Sequence, residues 1–221
     1  MRYHALPQDM LASRVSLTLA RYLGYALILA LICQLELWTL TVDAMPRFSE
    51  TSFVEVAQSV ALALSVVVLI WARRFPLYRQ GVVLMAGWLL ASLIREQDFL
   101  FDQMMDGLWQ VLVAAVALPT LVYTWRQRAT LAQECQRFFA TQAFGLFMGG
   151  FLTTYVFSRL LGRKVVWQAV LGSDYAYRIK SGVEENIELL GYLLMLFACI
   201  ELALQARRHF QKSLSFEGVT H

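Results

Sequence analysis

Eight carboxylates stand at the ends of the apolar stretches of this chain: Glu36, Glu55, Glu96, Asp98, Asp102, Glu184, Glu185 and Glu188. Two groups among them have a spacing that can do chemistry. In SLIREQDFLFDQ, residues 92–103, Arg95, Asp98 and Asp102 fall at i, i+3 and i+7 and share one face of a continuous helix. In VEENIELLGY, residues 183–192, Glu184 and Glu188 are one turn apart, Glu185 precedes Glu188 by three, and Tyr192 extends the face. Gln58 and Ser59 follow one turn after Glu55. Carboxylates a few ångströms apart raise one another's pKa, and removal from water adds to the effect. Such a collection settles by pairing with Arg95, by sharing protons, or by binding a cation.

The cation would sit in an all-oxygen site with Glu96, Asp98, Glu185 and Glu188 as ligands. Oxygen ligands without His or Cys suit Mg²⁺, Mn²⁺ or Ca²⁺. Paired acids could also serve a two-metal displacement at a phosphoryl or ester group. Zinc and haem are not expected, because His4, His209 and His221 all fall near the ends of the sequence and no C-x-x-C occurs. H-E-x-x-H, Gly-x-Ser-x-Gly, P-loop and Rossmann patterns are missing as well. A plainer role stands beside this one. Acids at span ends rest in the hydrated headgroup zone, and carboxylates in a helix's first turn, as expected of Glu184 and Glu185, favour its dipole. Arg95 would then be half of a structural ion pair, with Glu188 or Glu185 as its partner. The candidate polar site comprises Arg95, Glu96, Asp98, Glu185, Glu188, Glu36 and Glu55.

The elements that must hold these groups are membrane spans. Of the 221 residues 58% are hydrophobic and 16% charged, and the mean hydropathy is +0.53. Leu, Ala, Val, Phe and Gly dominate blocks of span length, where a β-barrel would show short alternating segments. The fold expected is all-α, a polytopic bundle of six transmembrane helices over residues 22–206, between segments 1–21 and 207–221. The spans are placed at 22–42, 53–72, 81 onward, 108–125, 138–157 and 183–206. The first is too long for a signal-peptide core and is kept as an anchor. The third has 14 uncharged residues, Gly81 to Ile94, which rise about 21 Å against a core of about 30 Å. To finish the crossing, this helix is expected to continue through Arg95, Glu96 and Asp98.

Of the 19 Lys and Arg residues, 12 fall at the termini, the 2–3 connection and the 4–5 connection. The positive-inside tendency puts both termini in the cytosol and the acids on the periplasmic side of a bacterial-type inner membrane. Residues 159–182 mix five basic residues with aromatics, as an interfacial anchor or a lid would. Gly145-x-x-x-Gly149 lets two helices approach closely, within the chain or in a homodimer. Membrane lipids are expected partners. A net charge of +3 without a basic run excludes a nucleic-acid partner.

Three functions fit. One is a non-enzymatic accessory or binding membrane protein, put first because no catalytic signature is complete. The second is a metal-dependent enzyme acting on a lipid or lipid-linked substrate. The third is a small cation- or proton-coupled transporter, against which stands the lack of a break in any span beside an ionisable residue.

Overall fold

In a bilayer the backbone must bond to itself, and a long run of straight-chain and small apolar residues does so as a helix. The computed structural model describes residues 8–41, 52–175 and 177–217, which are helical with no strand among them. Arg2, His4, Asp43, Arg47, Glu50 and His221 lie outside the described residues. Six helices are long and apolar enough to span a membrane: Val15–Thr39, Phe53–Ala72, Pro76–Glu96, Leu108–Arg126, Gln142–Leu161 and Ile179–Ser215. That is the make-up of a multi-pass membrane protein.

The chain forms two units, Met1–Met45 and Pro46–His221. The first contains helix α1, Gln8–Thr41, whose 34 residues reach well into the expected terminal segment. Within it the Tyr22 and Tyr25 rings meet edge to face at 5.7 Å.

The second unit contains α2 (Phe53–Ala72), α3 (Arg79–Glu96), α4 (Asp98–Met104), α5 (Leu108–Arg126), α6 (Arg128–Phe139), α7 (Gln142–Leu152), α8 (Ser158–Leu161), α9 (Lys164–Leu171) and α10 (Tyr177–Glu217). Helix α10 is its core. Leu189, Tyr192, Met195, Phe197, Ala198, Cys199 and Leu202 are all buried, on every side of the helix. A helix that is apolar all round must be enclosed by others. Here α7 and α2 pack along α10, α3 packs on α2, and α5 packs on α3.

The α7–α10 crossing is close because glycine faces glycine. A Cβ on Gly150 would lie 2.5 Å from the Gly191 carbonyl oxygen, and one on Gly191 would collide with Thr154 Oγ1. Within the chain, the expected small-residue pair does not make this crossing. A Cβ on Gly145 or Gly149 would meet no atom within 4 Å.

The third span departs from expectation at both ends. A 3₁₀ turn, Pro76–Tyr78, precedes the helix, so the stretch long and apolar enough to span begins before Gly81 and ends at Glu96. It then breaks at Gln97, with φ −104° and ψ 19°. Asp98 and Asp102 belong to the separate helix α4, so the continuous Arg95–Asp98–Asp102 face does not form. The sixth helix is longer than expected, at 41 residues. Glu184 and Glu185 therefore lie about two turns inside it, and their placement at the helix dipole is corrected.

Candidate functional site

At the end of the second unit where α2 begins and α3 ends, a cleft of about 780 Å³ opens between α2, the α3–α4 break and α10. Glu55, Arg95, Glu96, Asp98 and Glu185 all line it, beside Val56, Ser59, Val60, Phe99 and Leu100. Five of the seven residues named from the sequence thus meet on one surface. Glu188 lies behind that surface. Glu36 belongs to the α1 unit and is described with it: its carbonyl accepts from Thr39 Oγ1 at 2.8 Å.

Local structure explains the shape of the cleft. Ser52 caps α2 by accepting the Glu55 N–H at 3.4 Å, which fixes the first turn that carries Glu55. The fully buried Gln58 donates to the Glu185 carbonyl at 2.8 Å, tying α2 to α10. At the α3–α4 break, Gln97 donates to Ser59 Oγ at 2.6 Å, turning the chain toward α2 where a straight helix would have carried it away. Asp98 Oδ1 accepts the Phe99 N–H at 2.7 Å and stays exposed.

Behind the cleft the carboxylates have fixed partners. Tyr192, 1% exposed, donates to Glu96 Oε1 at 2.7 Å. Glu188 is buried and lies 2.7 Å from the Arg159 guanidinium, with Ser158 Oγ donating to it at 3.1 Å. Arg159 also bonds Glu184 at 3.2 Å, and Lys180 reaches Glu184 at 2.5 Å. Glu185 Oε1 accepts from Ser181 Oγ at 2.8 Å. A buried carboxylate would be costly with no partner, and here α8 supplies Glu188 with one cation, Arg159, and one hydroxyl, Ser158.

Arg159 reaches Glu188 because of an irregularity in the fifth span. Between α7 and α8 the segment Thr153–Phe157 is a π-helical turn. Its extra residue shifts the register, so that Ser158 and Arg159 face α10. The span therefore extends to Leu161, beyond the expected end at residue 157.

Two expectations are corrected by this arrangement. Arg95 does not pair with Glu188 or Glu185. It is exposed and makes no ion pair among the described residues, while Arg159 holds Glu188. The metal set of Glu96, Asp98, Glu185 and Glu188 does not form either. Among the described residues no three His, Cys, Asp or Glu side chains gather closely enough to hold a metal ion. The physical reason lies in the partners: Tyr192 holds Glu96, and Ser158 and Arg159 hold Glu188.

The opposite end holds a carboxylate not singled out from the sequence. Glu134, on α6, is 4% exposed, and its Oε2 accepts the Gln80 and Gly81 N–H groups at 2.9 and 2.7 Å. Tyr78, which precedes α3, supplies no side-chain cap, so Glu134 caps that helix from outside. Burial pushes its carboxyl above the usual range, against the lowering influence of the two N–H groups and of Arg137. Burial, followed by the charge of Glu134, also raises the thiol of Cys135. The signal was present in the sequence. Leu131, Glu134, Cys135 and Phe138 fall at i, i+3, i+4 and i+7, which puts an acid on the apolar face of a short amphipathic helix.

No family model, curated protein or solved structure matches this chain.

Proposed function

We propose that this chain is a non-enzymatic integral protein of a bacterial-type inner membrane, an accessory or binding protein with both termini cytosolic and the cleft facing the periplasm. One observation carries the reading: the deep carboxylates are committed to protein partners while an open cleft remains beside them. Glu96 is held by Tyr192, and Glu188 by Ser158 and Arg159. A general acid or base must be within reach of its substrate; Glu188 is buried and does not line the cleft, and Glu96, which does, is bonded to Tyr192. The groups left on the surface, Arg95 and Asp98 among them, are suited to holding a ligand. The metal-dependent enzyme is the less supported reading, since among the described residues its expected ligands do not gather.

The test is photo-crosslinking from a reactive residue replacing Val60, in the purified protein reconstituted into bilayers, followed by an assay of lipid turnover. Capture of a bound molecule without turnover is the expected result. Lipid turnover that disappears in Glu96→Gln or Glu188→Gln would replace this reading with an enzymatic one.

A specific observation favours the carrier as a second reading. The π-helical turn at Thr153–Phe157 is an irregular piece of span next to the buried Glu188 and Arg159, and such turns recur at functional sites. Proteoliposomes loaded with a pH dye would report proton entry that Glu188→Gln abolishes if this reading holds. No entry under an imposed gradient would remove it.

A further inference from the structure

We infer that the cleft takes the ammonium–phosphate head group of an aminophospholipid, Arg95 receiving the phosphate, the facing carboxylates the ammonium, and α2 one acyl chain. This inference rests on the binding reading and names the ligand class.

The charges of the cleft are mixed. Arg95 is an exposed guanidinium without an ion pair among the described residues, and it opens on the same space as Glu55, Asp98 and Glu185. An anionic ligand would meet several carboxylates, and a simple cation would meet Arg95. A head group carrying both signs satisfies both, since guanidinium binds phosphate through a planar fork and a primary ammonium offers three donors to carboxylate oxygens. The size agrees. A space of about 780 Å³ exceeds what an ion needs and falls in the range of small-molecule sites.

An apolar track leaves the cleft along α2. Val56 and Val60 line the cleft, and Val56, Val60, Leu64 and Val67 are 51%, 51%, 48% and 61% exposed. Their spacing of four, four and three residues keeps them on one helical face. On a helix that crosses a membrane, such a strip meets hydrocarbon. A ligand with a zwitterionic head beside Arg95 and an acyl chain on this strip uses both surfaces at once, whereas a soluble zwitterion would use the first and leave the strip bare.

The test is native mass spectrometry of the full chain in detergent with equal amounts of phosphatidylethanolamine, phosphatidylcholine and phosphatidylglycerol. Phosphatidylethanolamine should be retained over each of the others by about fivefold or more, the return on one charge-assisted hydrogen bond. Arg95→Gln, which breaks no ion pair among the described residues, should fold with unchanged melting and lose most of that retention. Glu55→Gln with Glu185→Gln should erase the discrimination against phosphatidylglycerol. If that double variant fails to fold, the exposed Asp98→Asn serves in its place. Equal retention of the three lipids, or full retention in Arg95→Gln, overturns the inference. Displacement of lipid by an equal concentration of O-phosphoethanolamine overturns the role of the acyl chain. Capture at Val60 of some other molecule, without lipid preference, ends this inference and leaves the binding reading standing.

Discussion

Glu188 and Glu134 are both acids in an apolar chain, both nearly inaccessible, at 6% and 4% exposure, and they are held in opposite ways. Glu188 is held by side chains, the Arg159 guanidinium and the Ser158 hydroxyl. Glu134 is held by backbone, the two N–H groups that start α3. A guanidinium sits on a long side chain that one substitution removes, so the first arrangement has two states, paired and stranded. Backbone donors survive every substitution but proline, so the second fails chiefly when the acid itself goes. Glu188 belongs to a region whose charges could be rearranged; Glu134 is a fixed joint between α6 and α3.

The sharpest way to break this contrast is Arg159→Ala. It strands Glu188 in the bundle, a loss of about 3–5 kcal/mol for a buried pair, drawn toward the lower figure because the Arg159 side chain is 43% exposed. Combining Arg159→Met with Glu188→Leu should regain most of that loss, since an apolar pair leaves no charge behind. Unfolding in graded SDS checks both, and a single variant as stable as the parent would mean that Glu188 is settled by something other than Arg159.

At the other end, Glu134→Ala should cost about 2–3 kcal/mol by leaving two helix-start N–H groups without their acceptor. Glu134→Gln keeps an acceptor oxygen and should lose less than half as much. The same residue gives the pH dependence its sign. Its folded carboxyl titrates above the ordinary 4.5, so between that value and the raised one the folded state binds more protons than the unfolded state. Its contribution is most favourable below pH 4.5 and is lost as pH rises through the folded value. In the parent, stability contributed by this site should decline over that window, and in Glu134→Gln the slope should be absent. Melting curves across pH on the two proteins decide it.

The smallest effect is expected at Arg95. Arg95→Ala should change stability by less than about 0.5 kcal/mol, the usual range for an exposed position without a special role. A large loss would restore the structural ion pair that the sequence suggested.

The spans were legible because hydropathy and length suffice to recognise them: the second span, residues 53–72, agrees with Phe53–Ala72 at both ends. The polar contacts were less so. Glu55, Arg95, Glu96, Asp98 and Glu185 are legible by type and position, yet the partners that hold Glu96 and Glu188 come from helices distant in sequence. Tyr192 and Glu96 are 96 residues apart, and Arg159 meets Glu188 across two helices. A single chain carries no record of which helices are neighbours. The π-helical turn was hidden as well, since Thr153–Phe157 has neither Gly nor Pro to mark it. Glu134 was readable in principle. It lies in a connection between two spans, where hydropathy carries no signal and only the helical periodicity of residues 131–138 marks it.

Helix α10 has 41 residues and is about 61 Å long, roughly twice the thickness of a hydrocarbon core of about 30 Å. By length and composition its Ile179–Ser215 stretch can cross a membrane and continue beyond it as one helix. Glu184 and Glu188, which set the rotation of the rod against Arg159, lie near one end. The exposed Lys212 and Ser213 lie on the same rod near the other. Torque applied at the acidic end need not pass through loops or side-chain relays to be felt there. Spin labels at residues 181 and 213 would report whether a change at the cleft reaches the other end of the helix as a rotation.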